Sequence, residues 1–441
     1  MSNRFETLIQ SLVDLKIKEG ERLKRVCPPS LENSGRYTHL LQQISELRGR
    51  PLYYPYIGSG VGRGPLVQLS DGSVKLDFTS GIGVYILGHS HPDLIRAGLV
   101  GALEDVVMQG HLQANAIYVR LMEKVIQIAQ RNSSLSQGWI CPSGSMANEN
   151  ALKIIRQKKG GVRHVLAFEG AFAGRTGSLL EITDNEKAKK GQPLCGDALR
   201  IPFTPKKPHL ALEALEAHWQ NKGTQISSFI VEFMLGDGGY HLAPRSFFLP
   251  LFQFCREKGI AVWADEIQTF CRSGEFFAFE KLNLGEYIDV CTIGKSLQLS
   301  ITLWKKEYNP EPGLVAGTFA SSSSSLHSAL ALLNFLDQGF MGPSGKVEKI
   351  HKSWVQHLKK LETKKLISNI EGWGLMIGAT PLDGKASTVR SLLQNLFEKG
   401  LIAFPCGKGD TMRLRFLIPA VVEEEHLAQA AHILEQALIA Q

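Results

Sequence analysis

No window of about 18 consecutive apolar residues occurs in this chain, so a membrane-crossing helix is not expected. Its seven cysteines, Cys27, Cys141, Cys195, Cys255, Cys271, Cys291 and Cys406, contain no CxxC pair, and they are odd in number and scattered. That argues against a disulfide framework and for reduced thiols in a cytoplasmic protein. The opening residues, Met1 to Glu6, lead into no apolar h-region, so no secretory leader is expected. Long runs of one charge are missing too. The net charge is +7 over 441 residues, and Lys187-Ala188-Lys189-Lys190 and Lys158-Lys159 read as solvated surface. Nothing here points to a nucleic-acid partner. The glycine-rich stretch from Gly58 to Gly64 does not fit GxGxxG and follows no buried strand, which excludes a dinucleotide site there. Internal repeats and an appended helix-turn-helix are absent from the pattern.

What remains is an ordinary globular composition, 44% hydrophobic and 21% charged, long enough for two or more domains. Its organising stretch is Gly259 to Gln268. Ile260 to Ala264 is a short apolar run behind a glycine, the pattern of a buried strand, and it stops at Asp265-Glu266. Ligands collect at the carboxyl ends of strands in an open α/β sheet, which is where Asp265 falls. A second such strand, Ile288 to Ile293, is followed at once by Gly294-Lys295. An acid and a lysine so placed suit pyridoxal phosphate (PLP), which needs a lysine for its Schiff base and an acid for its pyridinium nitrogen. On those two residues alone, a helix-capping acid and a solvated lysine fit equally well.

The rest of the chain alternates. Helices are expected over Phe5–Arg25, Tyr37–Leu47, Pro92–Asp105, Ala116–Ala129 and Pro250–Lys258, the last with its proline in the first turn, where no N–H is needed. A hairpin with an Asp71-Gly72 turn joins Leu66–Leu69 to Val74–Phe78. His89 and His91 form a possible metal pair, but with no third ligand nearby, loop and packing roles fit better and no metal is expected. Strands are expected at Trp139–Cys141, Val165–Phe168 and Ser228–Val231. The first leads through Pro142-Ser143-Gly144-Ser145 into a helix, a place where free N–H groups and the helix dipole hold an anion, although a plain serine cap explains it as well. Ser321 to Ser325 reads as a turn entering a helix over Leu326–Leu336. After Gly339 the order of helices and strands is that of a separate α+β lobe.

In their order, Asp71-Gly72 through Gly88-His89, Ser143-Gly144-Ser145, Gly170 to Thr176, Glu232 through Gly239, Asp265-Glu266-Ile267-Gln268, Gly294-Lys295, Gly317-Thr318-Phe319 and the strand around Arg415 resemble the class III aminotransferases. The resemblance implies the PLP-dependent transferase fold of type I, an α/β architecture. Its large domain has a mainly parallel seven-stranded sheet, and its small α+β domain comes from both termini. The expected division is 1–80 for the N-terminal segment and part of the small domain, 81–335 for the large PLP-binding domain, and 336–441 for the C-terminal small domain. It implies Lys295 as Schiff-base lysine and proton shuttle, Asp265 at the pyridine nitrogen, Gln268 at the ring hydroxyl, and Phe172 stacked on the ring. Gly144 and Ser145 are implied as phosphate donors, Glu232 as an acid near the cofactor, and Thr318 as reaching the neighbouring subunit's phosphate in a homodimer with a shared active site. Arg415 is implied for a substrate carboxylate, with Arg413 two residues away on the same strand face, Arg175 for another carboxylate, and Asp237 in place of a glutamate that screens the substrate arginine.

The implied reaction is a ping-pong transfer of an amino group from an amino acid or ω-amine to a keto acid such as 2-oxoglutarate. Decarboxylation or a 1,2-amino shift on the same site, or a non-catalytic PLP-fold protein, are the rivals. Departures from the family pattern, including Leu235, Asp237, Ala173 and Ser321 to Ser323, fall mainly where substrate and partner meet.

Overall fold

A computed structural model describes residues 3–105, 107–108, 110–409 and 411–441. The chain forms two compact units, Val100–Gly345 and a second built from both chain ends, Met1–Leu99 with Lys346–Gln441.

The first unit is organised by a sheet of seven strands: β1 Gln137–Cys141, β2 His164–Phe168, β3 Ala198–Ile201, β4 Ile226–Val231, β5 Ala261–Glu266, β6 Val290–Ile293 and β7 Ser300–Trp304. Their order is β1-β7-β6-β5-β4-β2-β3. Every pairing from β6 through β3 is parallel, and only β7 runs against its neighbours. β2, β4 and β5 are buried at every position, the reason their sequences read as apolar runs without alternation. Trp263 packs with Ile154, Ile155, Val165, Ile230 and Val290 in the core that holds the sheet against its helices.

β3 and β7 were not expected. β3 is four residues at the sheet edge, too short to show a period. β7 returns from Lys295 through one 3-10 turn, and its register places Ile293 opposite Ile301. The helix expected to begin at Pro250 begins instead at Arg245, so Pro250 lies inside it rather than in its first turn. There it withholds one i→i−4 hydrogen bond, which packing of Phe247, Phe248, Leu251 and Phe252 outweighs. The serine run does enter a helix, but one that starts at Ser323. Ser322 caps it by accepting from Ser325 N at 3.1 Å.

In the second unit a strand over Gly58–Arg63 precedes the hairpin Leu66–Leu69 and Val74–Asp77, and Leu401–Ile402 pairs parallel to the last of these. A four-stranded sheet carries Ile367–Trp373, Met376–Pro381, Arg413–Leu417 and Phe404–Cys406 in that spatial order. Helices Lys346–Thr363, Ala386–Lys399 and Glu424–Ile439 bury their apolar faces here.

Candidate active site

Asp265 is the next-to-last residue of β5, and its register partner on β6 is Thr292, three residues before Lys295. Both side chains therefore emerge at the carboxyl edge of the sheet. The Asp265 side chain is 5% exposed. Burial pushes its carboxyl up to about 6, against the pull of the Ile267 N–H, the Asn148 amide and the Lys295 charge. Oδ1 accepts from Ile267 N at 3.0 Å and Oδ2 from Asn148 Nδ2 at 2.7 Å. Lys295 is half-buried and holds φ at +45°, in the left-handed region that a side chain with a Cβ rarely occupies. Strain of this kind concentrates at functional sites.

Glu232 follows β4 directly. Its two oxygens accept from Phe172 N at 2.9 Å and Gly236 N at 3.1 Å, so one carboxyl ties two loops together. Burial pushes this group up to about 8; the nearby Asp265 charge adds to the effect, the two N–H groups oppose it, and Asp237 raises it further. Gln268 Oε1 accepts from Tyr240 OH at 2.9 Å. Gly236 lies between these acids and amides. A Cβ there would stand 2.9 Å from Gln268 Oε1 and 3.2 Å from Glu232 Oε2, so a larger residue would displace the ends of these two side chains.

Phe172 is half-buried, and its loop is fixed from below. Thr183 Oγ1 accepts from Ala173 N at 2.9 Å and Gly174 N at 3.1 Å, and Asp184 Oδ2 accepts from Gly170 N at 2.6 Å. Arg175 is exposed and holds its guanidinium 5.8 Å from the Phe172 ring centre. After β1, Ser143 caps the helix Gly144–Lys158 by accepting from Met146 N at 3.3 Å. Gly144 abuts Ile267, and Ser145 Oγ abuts Gly174, so the helix start meets both the Asp265 loop and the Phe172 loop.

Lys295, Asp265, Gln268, Glu232, Asp237, Phe172, Arg175, Gly144 and Ser145 thus belong to one connected set of loops on the sheet's carboxyl edge. Thr318 lies apart from their hydrogen bonds, exposed on a segment held by Gly110 N to Gly317 O at 3.0 Å and Ala320 N to Met108 O at 3.1 Å. Arg415 and Arg413 belong to the other unit, on the strand Arg413–Leu417. Arg413 donates to Glu371 Oε2 at 2.9 Å, to Gly378 O at 3.2 Å and to Asn369 O. Arg415 lies with its guanidinium carbon 5.0 Å from the Phe404 ring centre.

Sequence reasoning missed Asn148 and Thr183. Asn148 shares the buried stripe of Ala147, Ala151, Leu152 and Ile155, and a polar residue at a core position of a helix was the available signal. Thr183 gave none, because its partners are brought to it by the chain's return after the helix Gly177–Ile182.

These groups form the donor set PLP asks for. There is a buried carboxylate whose burial calls for a cationic ring nitrogen, a lysine across from it, a flat side chain for a flat ring, and helix N–H groups for a phosphate. Residues 57–438 match the family profile described as "Aminotransferase class-III". The chain is similar to an acetylornithine aminotransferase of Bacillus cereus, 31% identical over 85% of this chain and 93% of that one. It is similar to a 2-aminoadipate transaminase of Pseudomonas putida, 30% identical over 86% and 94%. A Bacillus anthracis aminotransferase of solved structure superposes with a TM-score of 0.82 at 21% identity, over 92% of this chain and 99% of that one.

Proposed function

The chain belongs to the class III aminotransferases, which are PLP-dependent enzymes, and from that premise we propose the role of each residue in the site. Transamination is its reaction, ahead of decarboxylation or an amino shift. The bound cofactor supplies an electron sink for charge that develops at the substrate carbon.

Lys295 holds the cofactor between turnovers and moves the proton at the substrate carbon. Its half-buried amine, close enough for its charge to act on Asp265, is the group assigned to take and return that proton. Asp265 keeps the ring nitrogen protonated, Gln268 addresses the ring hydroxyl, and Phe172 covers a ring face. Gly144 N–H and the Ser145 hydroxyl hold the phosphate at the helix start. Glu232 steadies the loops of Phe172 and Gly236 around them. The observation that carries this reading is the buried Asp265 carboxylate, made unfavourable by desolvation and eased by the nearby Lys295 charge.

Arg415 is assigned the substrate carboxylate, the position that the family resemblance implies, and Arg413, which holds Glu371, Asn369 and Gly378, is assigned to the sheet. Arg175, exposed beside Phe172, is assigned a second carboxylate, and Asp237 screens the substrate arginine. The unit Val100–Gly345 acts as the cofactor-binding domain and the unit of both termini as the small domain. The donor is an amino acid with a distal amine, in keeping with relatives named for acetylornithine and 5-aminovalerate, and 2-oxoglutarate is the acceptor.

The active site is completed by a second copy of the chain. Thr318 is exposed, as are its neighbour Phe319 and, on the segment that bonds to this one, Val107 and Leu112, and exposed apolar side chains brought to one region of backbone suit a protein interface. Thr318 from one copy reaches the phosphate held by the other. The seven cysteines, none in a disulfide and only Cys195 exposed, support a reducing, cytoplasmic setting.

Assays of ornithine, acetylornithine, 4-aminobutyrate, lysine, 2-aminoadipate and 5-aminovalerate against 2-oxoglutarate test the donor class. Glutamate formation with a distal amine supports the assignment. Turnover of 2-aminoadipate alone, whose reactive amine is beside its carboxylate, refutes it.

A further inference from the structure

We infer that Asn148 is a positioning residue for the reaction: its side-chain amide clamps Asp265 and the Phe172 loop to one helix, so that the carboxylate is held for the cofactor's ring nitrogen. The inference rests on the reading of Asp265 given above.

Asn148 is 2% exposed, the fifth residue of the helix Gly144–Lys158. Its Nδ2 donates both protons, to Asp265 Oδ2 and to Ala173 O, each at 2.7 Å. Both partners only accept, so the amide nitrogen must face them, whichever way the group is first placed. Ala173 follows Phe172, and its own N–H is held by Thr183. One amide therefore ties the acid, the aromatic loop and the helix start that carries Gly144 and Ser145.

The Asn148 Oδ1 atom is buried with no hydrogen-bond partner among the described residues. An orphaned acceptor costs stability, and leucine, of similar volume, removes it at the cost of the donors to Ala173 O and Asp265. Packing alone thus does not favour asparagine here, whereas the bond to Asp265 does. That bond and the Ile267 N–H fix the two carboxylate oxygens separately, which sets the plane of the group.

The amide also favours the charged form of Asp265, because it donates to it. Lys295 pulls the same way, while burial opposes both. The other ionisable groups facing Asp265 are Glu232, whose own proton is held more tightly because of the Asp265 charge, and the deeply buried Cys291. Asp237 acts on Glu232 in turn. Without the clamp Asp265 takes up a proton from solvent at a higher pH, and a neutral Asp265 would give a ring-nitrogen cation no counter-charge, so the acid limit of activity moves upward.

The test compares PLP-loaded wild type with Asn148→Leu, Asn148→Ser and Asp265→Asn, following the cofactor's absorbance and the single-turnover rate with donor as functions of pH. In Asn148→Leu the acid limb of both profiles moves up by about one pH unit, and the rate at pH 7 falls about tenfold, with the donor KM little changed. Asn148→Ser, which restores one donor, brings the limb part of the way back. If Asn148→Leu does not fold, Asn148→Ala removes the donor without added bulk and is read in the same way. An acid limb that stays at the wild-type position in the donor-less variant overturns the inference, even if stability or rate falls. Asp265→Asn separates the two claims. If it alters the absorbance while Asn148→Leu leaves the limb in place, only the Asn148 inference fails. If Asp265→Asn leaves the cofactor's absorbance and its pH response unchanged, the reading of Asp265 itself fails.

Discussion

Arg413 holds the Glu371 carboxylate at 2.9 Å and also caps the carbonyls of Gly378 and Asn369, so its guanidinium is part of the sheet it grows from. Two residues along, Arg415 instead lies against Phe404. The two arginines look alike in sequence but differ in what their removal disturbs. Arg413→Ala is expected to destabilise the protein by about 2–3 kcal/mol, since it leaves several acceptors unmet around a buried site. Arg415→Ala is expected to raise the KM for the keto acid about 100-fold, the equivalent of about 3 kcal/mol of charge-assisted hydrogen bonding. Urea denaturation and steady-state kinetics on both variants check this. The reverse pattern assigns the carboxylate to Arg413.

Lys295→Ala is expected to abolish the absorbance near about 420 nm that a lysine-bound PLP gives. Added PLP is then removable by dialysis. A variant that keeps the band after dialysis places the linkage at a different lysine.

Thr183→Val keeps the side-chain shape and removes the acceptor for two buried N–H groups, Ala173 and Gly174. Each orphaned group costs about 1–3 kcal/mol, so a loss of about 2–6 kcal/mol is expected, together with weaker PLP retention as the Phe172 loop loosens. Thermal unfolding with and without PLP measures both parts. Unchanged stability refutes the role given to Thr183.

Protonation of the site acids makes the stability of the PLP-free chain fall as pH rises. Asp265 and Glu232 are raised to about 6 and about 8, from 3.8 and 4.5. The folded state thus binds protons that the unfolded state has already released. The resulting stabilisation is complete below the unfolded values and is lost as pH passes through 6 and then 8. A decrease of up to about 5 kcal/mol between pH 5 and pH 8 is expected from this pair, about 1 from Asp265 and about 4 from Glu232. PLP should flatten the slope, because a ring-nitrogen cation favours the charged Asp265. Denaturant titrations across that range, with and without PLP, show the slope. A PLP-free chain that gains stability over the same interval refutes the assignment.

Phe319→Glu places a charge in the exposed apolar patch beside Thr318. The expected outcome is a shift to monomers with weakened PLP binding, read by sedimentation velocity and absorbance. A wild-type chain that sediments as a monomer at all concentrations removes the shared-site proposal.

Much of this was legible along the chain because it depends on local order. The buried strands β2, β4 and β5 announce themselves as apolar runs, and Asp265 stands at the carboxyl end of β5 while Glu232 and Lys295 follow the ends of β4 and β6. Strand ends are where an open parallel sheet exposes side chains to a ligand, so the place of these residues at the sheet's carboxyl edge was readable from the order of residues.

Tertiary structure decided what depends on contacts between distant segments. Asn148 reaches Asp265 across 117 positions of sequence, and Glu232 reaches Phe172 across 60. The separate fates of Arg413 and Arg415 follow from their neighbours on other strands, because periodicity places both on one face and says nothing about Glu371 or Phe404. A side chain's chemistry is written in its own residue, but its ionisation and orientation are set by the groups folded against it. Those groups come from elsewhere in the chain.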